Sequence, residues 1–238
     1  MIRWLLNLFL SKRCFVCGQE LPMREIDFCC SGCEPLVEAS RIGSKKCERC
    51  GRGLSYMYNS TVCSSCNKHS YAFDGAISVF YYEGHIKDAV HRMKFLKKPH
   101  LAAVFGSYIN GVIPSMKFDY IVYPPVNRKT FYKRGYNQAE LMAQELSKLT
   151  GIPVLKNALR KEKQNEVQSR MSGKERFRNV SGAFSVSRKA GEKLCGKRLL
   201  LLDDVFTTGA TVSECAKMLK KQKASFVFVA TLASTREM

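Results

Sequence analysis

Eight cysteines carry the first chemistry that can be read along the chain. They form four CxxC pairs, Cys14/Cys17, Cys30/Cys33, Cys47/Cys50 and Cys63/Cys66, and adding 33 to each of the first four positions gives the second four. The first pair of each set is followed by glycine, CFVCG at 14–18 and CERCG at 47–51, so the region reads as a duplicated CxxCG–x11–CxxC unit. Two thiolates three apart on a tight turn can face one cation. Two such turns make a tetrahedral four-thiolate site suited to zinc. Sequential pairing, 14/17/30/33 and 47/50/63/66, is expected; a cross-braced pairing would use the same eight residues. Because cysteine fills every ligand position, the two zinc ions are expected to be structural, with no open position for catalysis. A redox CxxC would use a single pair beside a βαβ unit and fits less well. Cys29 is a spare beside Cys30, and His69, just past the last pair, reads as a surface residue.

The second stretch with chemistry is LLLLDDVFTTGAT, residues 199–211. Four leucines make a buried strand, and Asp203 and Asp204 follow where open α/β sheets place ligands, at the carboxyl end. Thr207, Thr208, Gly209, Ala210 and Thr211 then lead into a helix. Backbone N–H groups, threonine hydroxyls and the positive helix end can together wrap a phosphate. The two carboxylates would repel that phosphate, but they suit sugar hydroxyls or water on magnesium. Phosphate beside ribose means a ribose 5-phosphate group. The bland alternative is a pair of aspartates that merely cap a helix. No GxxxxGK[ST] loop occurs.

These residues need a scaffold, and alternating strand and helix patterns supply one from about residue 73. Strands are expected at 75–82, 119–124, 152–155, 198–204 and 225–232. Helices are expected at 85–95, with Ile86, Ala89, Val90 and Met93 on one face, and at 101–112, 137–149 and 208–221. Such alternation predicts an α/β fold with a mainly parallel sheet flanked by helices. The cysteine-rich segment, residues 1–70, is expected to be a small zinc-stapled domain, and residues 71–238 the α/β domain. Residues 156–198 hold 13 Lys/Arg against 4 Asp/Glu and read as a polar loop, either functional or simply solvated.

Composition narrows the partners. With 39 Lys+Arg against 20 Asp+Glu, the 238-residue chain carries +19. Phosphates, nucleic acid or an anionic surface are the natural counterparts of that excess. The apolar start MIRWLLNLFL is too short to span a bilayer and reads as a short helix packed on a domain, ahead of an interfacial anchor. Nine of the 11 cysteines lie between Cys14 and Cys66. Together with the absence of a spanning segment, this suggests a cytoplasmic protein that uses thiols for metal.

The stretch 199–211 resembles the PRPP-binding motif of type I phosphoribosyltransferases. KRGYNQAELMA (133–143), QSRMSGKERFRNVSGAF (168–184), YEG (82–84), KF (94–95) and the cysteine-rich start resemble the ComF family, also called ComFC-like competence proteins. The likeness covers essentially the whole chain. It implies a type I phosphoribosyltransferase-like domain behind a zinc ribbon. Asp203 and Asp204 would then hold the ribose 2′- and 3′-hydroxyls, Thr207 to Thr211 the 5′-phosphate, and Mg²⁺ would arrive on the substrate's pyrophosphate. Arg134 and Arg176 match family motifs and are the candidates for the pyrophosphate side; Arg160, Arg170 and Lys174 are further sources of charge. The chain departs from the family at VYPPVN (122–127), where Asn127 stands at the usual histidine position. Thr207 stands where hypoxanthine–guanine enzymes carry a carboxylate, which disfavours transfer to a purine base.

Two functions follow. The resemblance implies natural transformation, with handling of single-stranded DNA beside a helicase partner. Basic segments 85–98, 128–138 and 156–178 are the expected DNA face; Phe95, Phe131, Tyr132, Tyr136 and Phe177 among them could stack on bases, although an aromatic in such a segment more often packs in a core. The alternative is an active PRPP-dependent transferase that releases pyrophosphate to an acceptor the sequence does not name.

Overall fold

The structure is a computed structural model and describes residues 13–21, 28–162 and 173–236, the side chains of 173–176 excepted. The short helix expected over residues 1–10 lies outside the described residues, as does Arg170.

In chain order the elements are α1 (Glu34–Ala39), α2 (Ser64–Lys68), β1 (Gly75–Tyr81), α3 (Gly84–Phe95), α4 (Leu101–Asn110), β2 (Tyr120–Val122), α5 (Arg128–Arg134), α6 (Gln138–Thr150), β3 (Leu159–Lys161), α7 (Gly173–Val180), β4 (Phe184–Val186), α8 (Arg188–Leu194), β5 (Arg198–Phe206), α9 (Ala210–Lys221) and β6 (Phe226–Ser234). Strands β1, β6, β5 and β2 lie side by side in that order, and every pairing is parallel. Parallel neighbours need crossovers, and the helices between them supply these. The strand expected at 152–155 contributes a single parallel bridge, Val154 to Ile121.

Side chains of β5 alternate between two cores. Leu200 and Leu202 join Ile86, Ala89, Val90 and Met93 of α3 with Phe105, Ile109, Met142 and Leu146. Leu199 and Leu201 face Val212, Cys215, Ala216 and Leu219 of α9. A strand buried on both faces needs an unbroken apolar run, which explains the four leucines.

The cysteine units divide between these cores. Cys14, Phe15, Cys33 and Val37 pack with the α3 face; Cys47, Cys50, Leu54, Cys63 and Cys66 pack with the α9 face. The segment that follows α1, between the two units, guards the sheet's edge. Ile42 N–H donates to the Val79 carbonyl (2.9 Å) and Tyr81 N–H to the Ser40 carbonyl (2.8 Å), closing the open side of β1.

The described parts of the basic stretch, 156–162 and 173–198, are more ordered than their composition suggests. β3 and β4 pair antiparallel, and Ala158, Leu159, Val180 and Phe184 seal the α9 core. Three-residue strands are too short to show a period in the sequence.

Candidate functional site

The two cysteine turns repeat in geometry as in sequence. Gly18 N–H donates to the Cys14 carbonyl at 2.9 Å and Gly51 N–H to the Cys47 carbonyl at 2.8 Å; both glycines have positive φ, +81° and +66°. Cys14 N–H donates to Gln19 and Cys47 N–H to Arg52, each at 2.8 Å. The structure brings together Cys14, Cys17, Cys30 and Cys33 in one cluster and Cys47, Cys50, Cys63 and Cys66 in another, so the grouping is sequential. Sulfur separations are 3.7 Å for Cys17–Cys30, 3.7 Å for Cys47–Cys66 and 3.6 Å for Cys50–Cys63. A tetrahedron with Zn–S bonds of about 2.3 Å has edges of about 3.8 Å, so both clusters fit a zinc ion. Burial opposes ionisation of Cys14, but N–H groups of Cys17, Cys30 and Val16 outweigh it and lower its pKa to about 6. The second cluster is buried throughout, whereas Cys17 is exposed. His69 lies outside both clusters, half-buried and stacked on Phe177 at 4.5 Å.

At the carboxyl end of β5 the two aspartates are pressed together. Asp204 N–H donates to Asp203 Oδ1 at 2.8 Å. Burial, then the neighbouring charge of Asp204, pushes the Asp203 pKa up to about 7. Asp204 is compensated by Lys94 Nζ at 2.8 Å, the two side chains being 15% and 18% exposed. Burial works against the charge on Lys94, yet Asp204 raises its pKa overall. Sequence reasoning passed over this lysine. It stood in view: Met93 is the last buried residue of α3, and Lys94 follows it at the helix end, within the KF pair.

Beyond β5 the chain turns at Gly209, φ +75°, the residue before α9. A Cβ there would lie 2.5 Å from Phe206 Cζ and 2.8 Å from Tyr71 Cε1, so glycine is required by both backbone and space. Ala210 N–H donates to Thr208 Oγ1 at 3.4 Å. Thr207 and Thr208 are half-buried, and the loop offers N–H groups and hydroxyls to an anion beside the carboxylates.

The KRGYNQAELMA stretch is two helix ends back to back. Gly135, φ +85°, closes α5, and Asn137 opens α6 by accepting from Ala139 N–H (3.1 Å) while donating to the Pro124 carbonyl (2.9 Å). Tyr136 Oη donates to the Met93 carbonyl, which docks this corner on the end of α3. Arg134 thereby lies over the Phe95 ring (5.2 Å) and donates to Gln138 (2.9 Å). Burial lowers its pKa against the opposing pull of Asp204, which places it on the carboxylate side of the site. Asn127 caps α5, accepting from Thr130 N–H at 2.6 Å. Arg176 lies on α7, but its side chain, like that of Lys174, is outside the described residues.

The expected DNA face divides. Residues 85–98 and 128–138 meet at the Met93–Tyr136 corner, and α5 has no buried residue. Phe95, Leu96, Phe131 and Tyr132 are exposed there, Tyr132 by 82%. The described part of 156–178 packs instead in the opposite core. Phe177 is committed to His69 and Tyr71 rather than open to a base, because its helix closes the α9 face.

Comparison with known proteins agrees with this architecture. Residues 132–237 match the phosphoribosyl transferase domain family. Competence protein F of Haemophilus influenzae is 28% identical over 220 residues, 90% of this chain and 93% of that protein. The chain is thus similar to a competence protein over nearly its whole length, and its second half matches a phosphoribosyl transferase domain. Competence protein ComFC of Streptococcus pneumoniae is 28% identical over 228 residues, covering 90% of this chain and 96% of that protein. The DNA utilization protein YhgH of Escherichia coli (strain K12) is 25% identical over 229 residues, 93% and 96% of the two chains. Among the described residues no helix is long and apolar enough to cross a membrane.

Proposed function

We propose that this ComF-like chain binds PRPP at the carboxyl end of β5 and handles single-stranded DNA on the adjoining face, in DNA uptake and natural transformation. Asp203 and Asp204 take the ribose hydroxyls and Thr207–Thr211 the 5′-phosphate. Lys94 and Arg134 supply the positive charge that the pyrophosphate and its Mg²⁺ require on the other side. One observation carries the reading: an acidic pair with a single lysine partner stands directly before a glycine-tight loop that opens a twelve-residue helix. Anion, hydroxyl acceptors and cation thus have places in one continuous strip of surface.

The DNA part rests on the corner formed by α3 and α5. Its exposed aromatics are interleaved with Arg128, Lys129, Lys133, Lys97 and Lys98, the pattern that combines base stacking with phosphate neutralisation. The names of the relatives, competence and DNA utilization proteins, favour the same role. A competence helicase would be the partner in that process, and the cytoplasm the compartment.

Titration of PRPP and of a single-stranded oligonucleotide, separately and in competition, tests both halves. PRPP binding at micromolar to millimolar levels with Mg²⁺, and DNA binding that weakens with salt, are expected. Failure to bind PRPP overturns the site; failure to bind DNA at low ionic strength overturns the DNA role. Pyrophosphate release in the same mixtures would add the transferase activity.

A further inference from the structure

The second cysteine unit reaches into the loop assigned above to phosphate. Arg52 closes the Cys47–Cys50 turn. It is 7% exposed, its Nη2 donates to the Thr207 carbonyl, and its guanidinium lies over the Phe206 ring at 5.6 Å. Tyr71, just past the unit, donates from Oη to the Thr208 carbonyl at 2.8 Å. Ser65 Oγ, from the helix that bears Cys66, meets the same hydroxyl at 3.2 Å. The Tyr71 ring packs edge-on against Phe206, 5.9 Å between centroids, and fills the space where a side chain on residue 209 would go.

Trans peptide geometry gives these contacts a consequence. The C=O of one residue and the N–H of the next lie in one plane and point in opposite directions. Holding the Thr207 and Thr208 carbonyls toward the cysteine unit therefore turns the N–H groups of Thr208 and Gly209 the other way. Among the described residues no protein group accepts from either N–H. Both donors are set for an outside acceptor, at the amino end of α9, where an anion is favoured.

We propose that Arg52 and Tyr71 are positioning residues for the phosphate loop: they hold the Thr207 and Thr208 carbonyls so that the Thr208 and Gly209 N–H groups face the 5′-phosphate. The inference rests on the PRPP reading of the loop. It makes the second four-cysteine unit a part of the ligand site. The unit fixes the Arg52 backbone through the Cys47 N–H to Arg52 carbonyl bond and docks by Gly51 against β1, where an added Cβ would meet the Ala76 oxygen at 2.3 Å.

The test uses the full chain with Arg52→Ala, Arg52→Lys and Tyr71→Phe, and follows binding of PRPP, ribose 5-phosphate and inorganic pyrophosphate by calorimetry, with zinc content and Tm in parallel. Arg52→Ala should weaken PRPP and ribose 5-phosphate about tenfold, and Tyr71→Phe a few-fold, while pyrophosphate affinity and two zinc equivalents are kept. Arg52→Lys should recover part of the loss, since an ammonium can still donate to one carbonyl. Should Arg52→Ala not fold, Tyr71→Phe, which removes one hydroxyl, decides. Unchanged PRPP affinity in Tyr71→Phe and in any folded Arg52 variant overturns the proposal. So does a loss of pyrophosphate in step with PRPP. An unsubstituted chain that binds no PRPP overturns the function itself, and this inference with it.

Discussion

Lys94 and Asp204 meet at 2.8 Å, the lysine from the last turn of α3 and the aspartate from near the end of β5. The pair joins the KF residues to the acidic motif, two stretches more than a hundred positions apart. Replacing Lys94 by methionine should leave Asp204 without its counter-charge in a partly buried site. A cost of about 1–3 kcal/mol is expected at pH 8. Adding Asp204→Asn should recover much of it, and a double-mutant cycle by denaturant unfolding measures the coupling. Additive effects would mean the pair contributes nothing as a pair.

Asp203 sets a pH dependence. In the unfolded chain it ionises near 3.8, whereas in the folded chain it keeps its proton to about 7. Between those values the folded state binds the extra proton, so stability falls as pH rises through the window and is lowest above it. Asp203→Asn removes this cost. The variant should match the native chain near pH 4 and exceed it in Tm by at least a few degrees at pH 8. A difference that does not change with pH would contradict the account.

Both aspartates changed to alanine should weaken PRPP more than tenfold, because hydrogen bonds from ribose hydroxyls to charged acceptors are worth about 1.5–3 kcal/mol each. The pair is less exposed than its place at a strand end suggests, so Tm must be read alongside. Losing Asp203 removes a charge that burial disfavours, whereas losing Asp204 leaves Lys94 without its partner, so the two effects on Tm at pH 8 oppose each other. Equal PRPP affinity would show that the ligand lies elsewhere.

Metal analysis of reduced protein should return about two zinc equivalents per chain. Cys47→Ala should leave about one, carried by the first cluster, and should also weaken PRPP if Arg52 acts as proposed. Two equivalents remaining in that variant would place the second zinc outside the cluster.

On the DNA face, alanine at Lys97, Lys98, Lys129 and Lys133 together should flatten the dependence of log affinity on log salt, by about 0.7 for each phosphate no longer neutralised. Tyr132→Ala or Phe95→Ala should weaken binding at every salt concentration with the slope unchanged, since stacking releases no counterions. A steepness untouched by the four lysines would move the DNA elsewhere.

What could be read from residues alone was what local pattern encodes. The apolar stripe Ile86, Ala89, Val90 and Met93 is buried as its spacing requires, and the four leucines of β5 form a central strand. The cysteine spacing pointed to eight ligands in two sites, but whether neighbouring or alternate turns would meet was settled only by the fold. The β3–β4 pair escaped notice because LRK and FSV are too short to alternate. Arg52, Tyr71 and Lys94 escaped because their partners lie 155, 137 and 110 positions away, and no periodicity reports such a contact. Phe177 packs against a core, as an aromatic among basic residues more often does, but its partner His69, 108 positions away, could not be named for the same reason.

The duplicated cysteine units have identical spacing and unequal surroundings: one leaves Cys17 open to water, the other is sealed on every side. Identical ligands therefore do not give identical lifetimes. A chelator or oxidant meets the outer cluster at once but reaches the inner one only when the protein itself opens. The two sites should empty in sequence, the fast phase reporting solvent and the slow phase reporting folding. Two units of one spacing thus act as two clocks, running at different rates, on opposite sides of a single sheet.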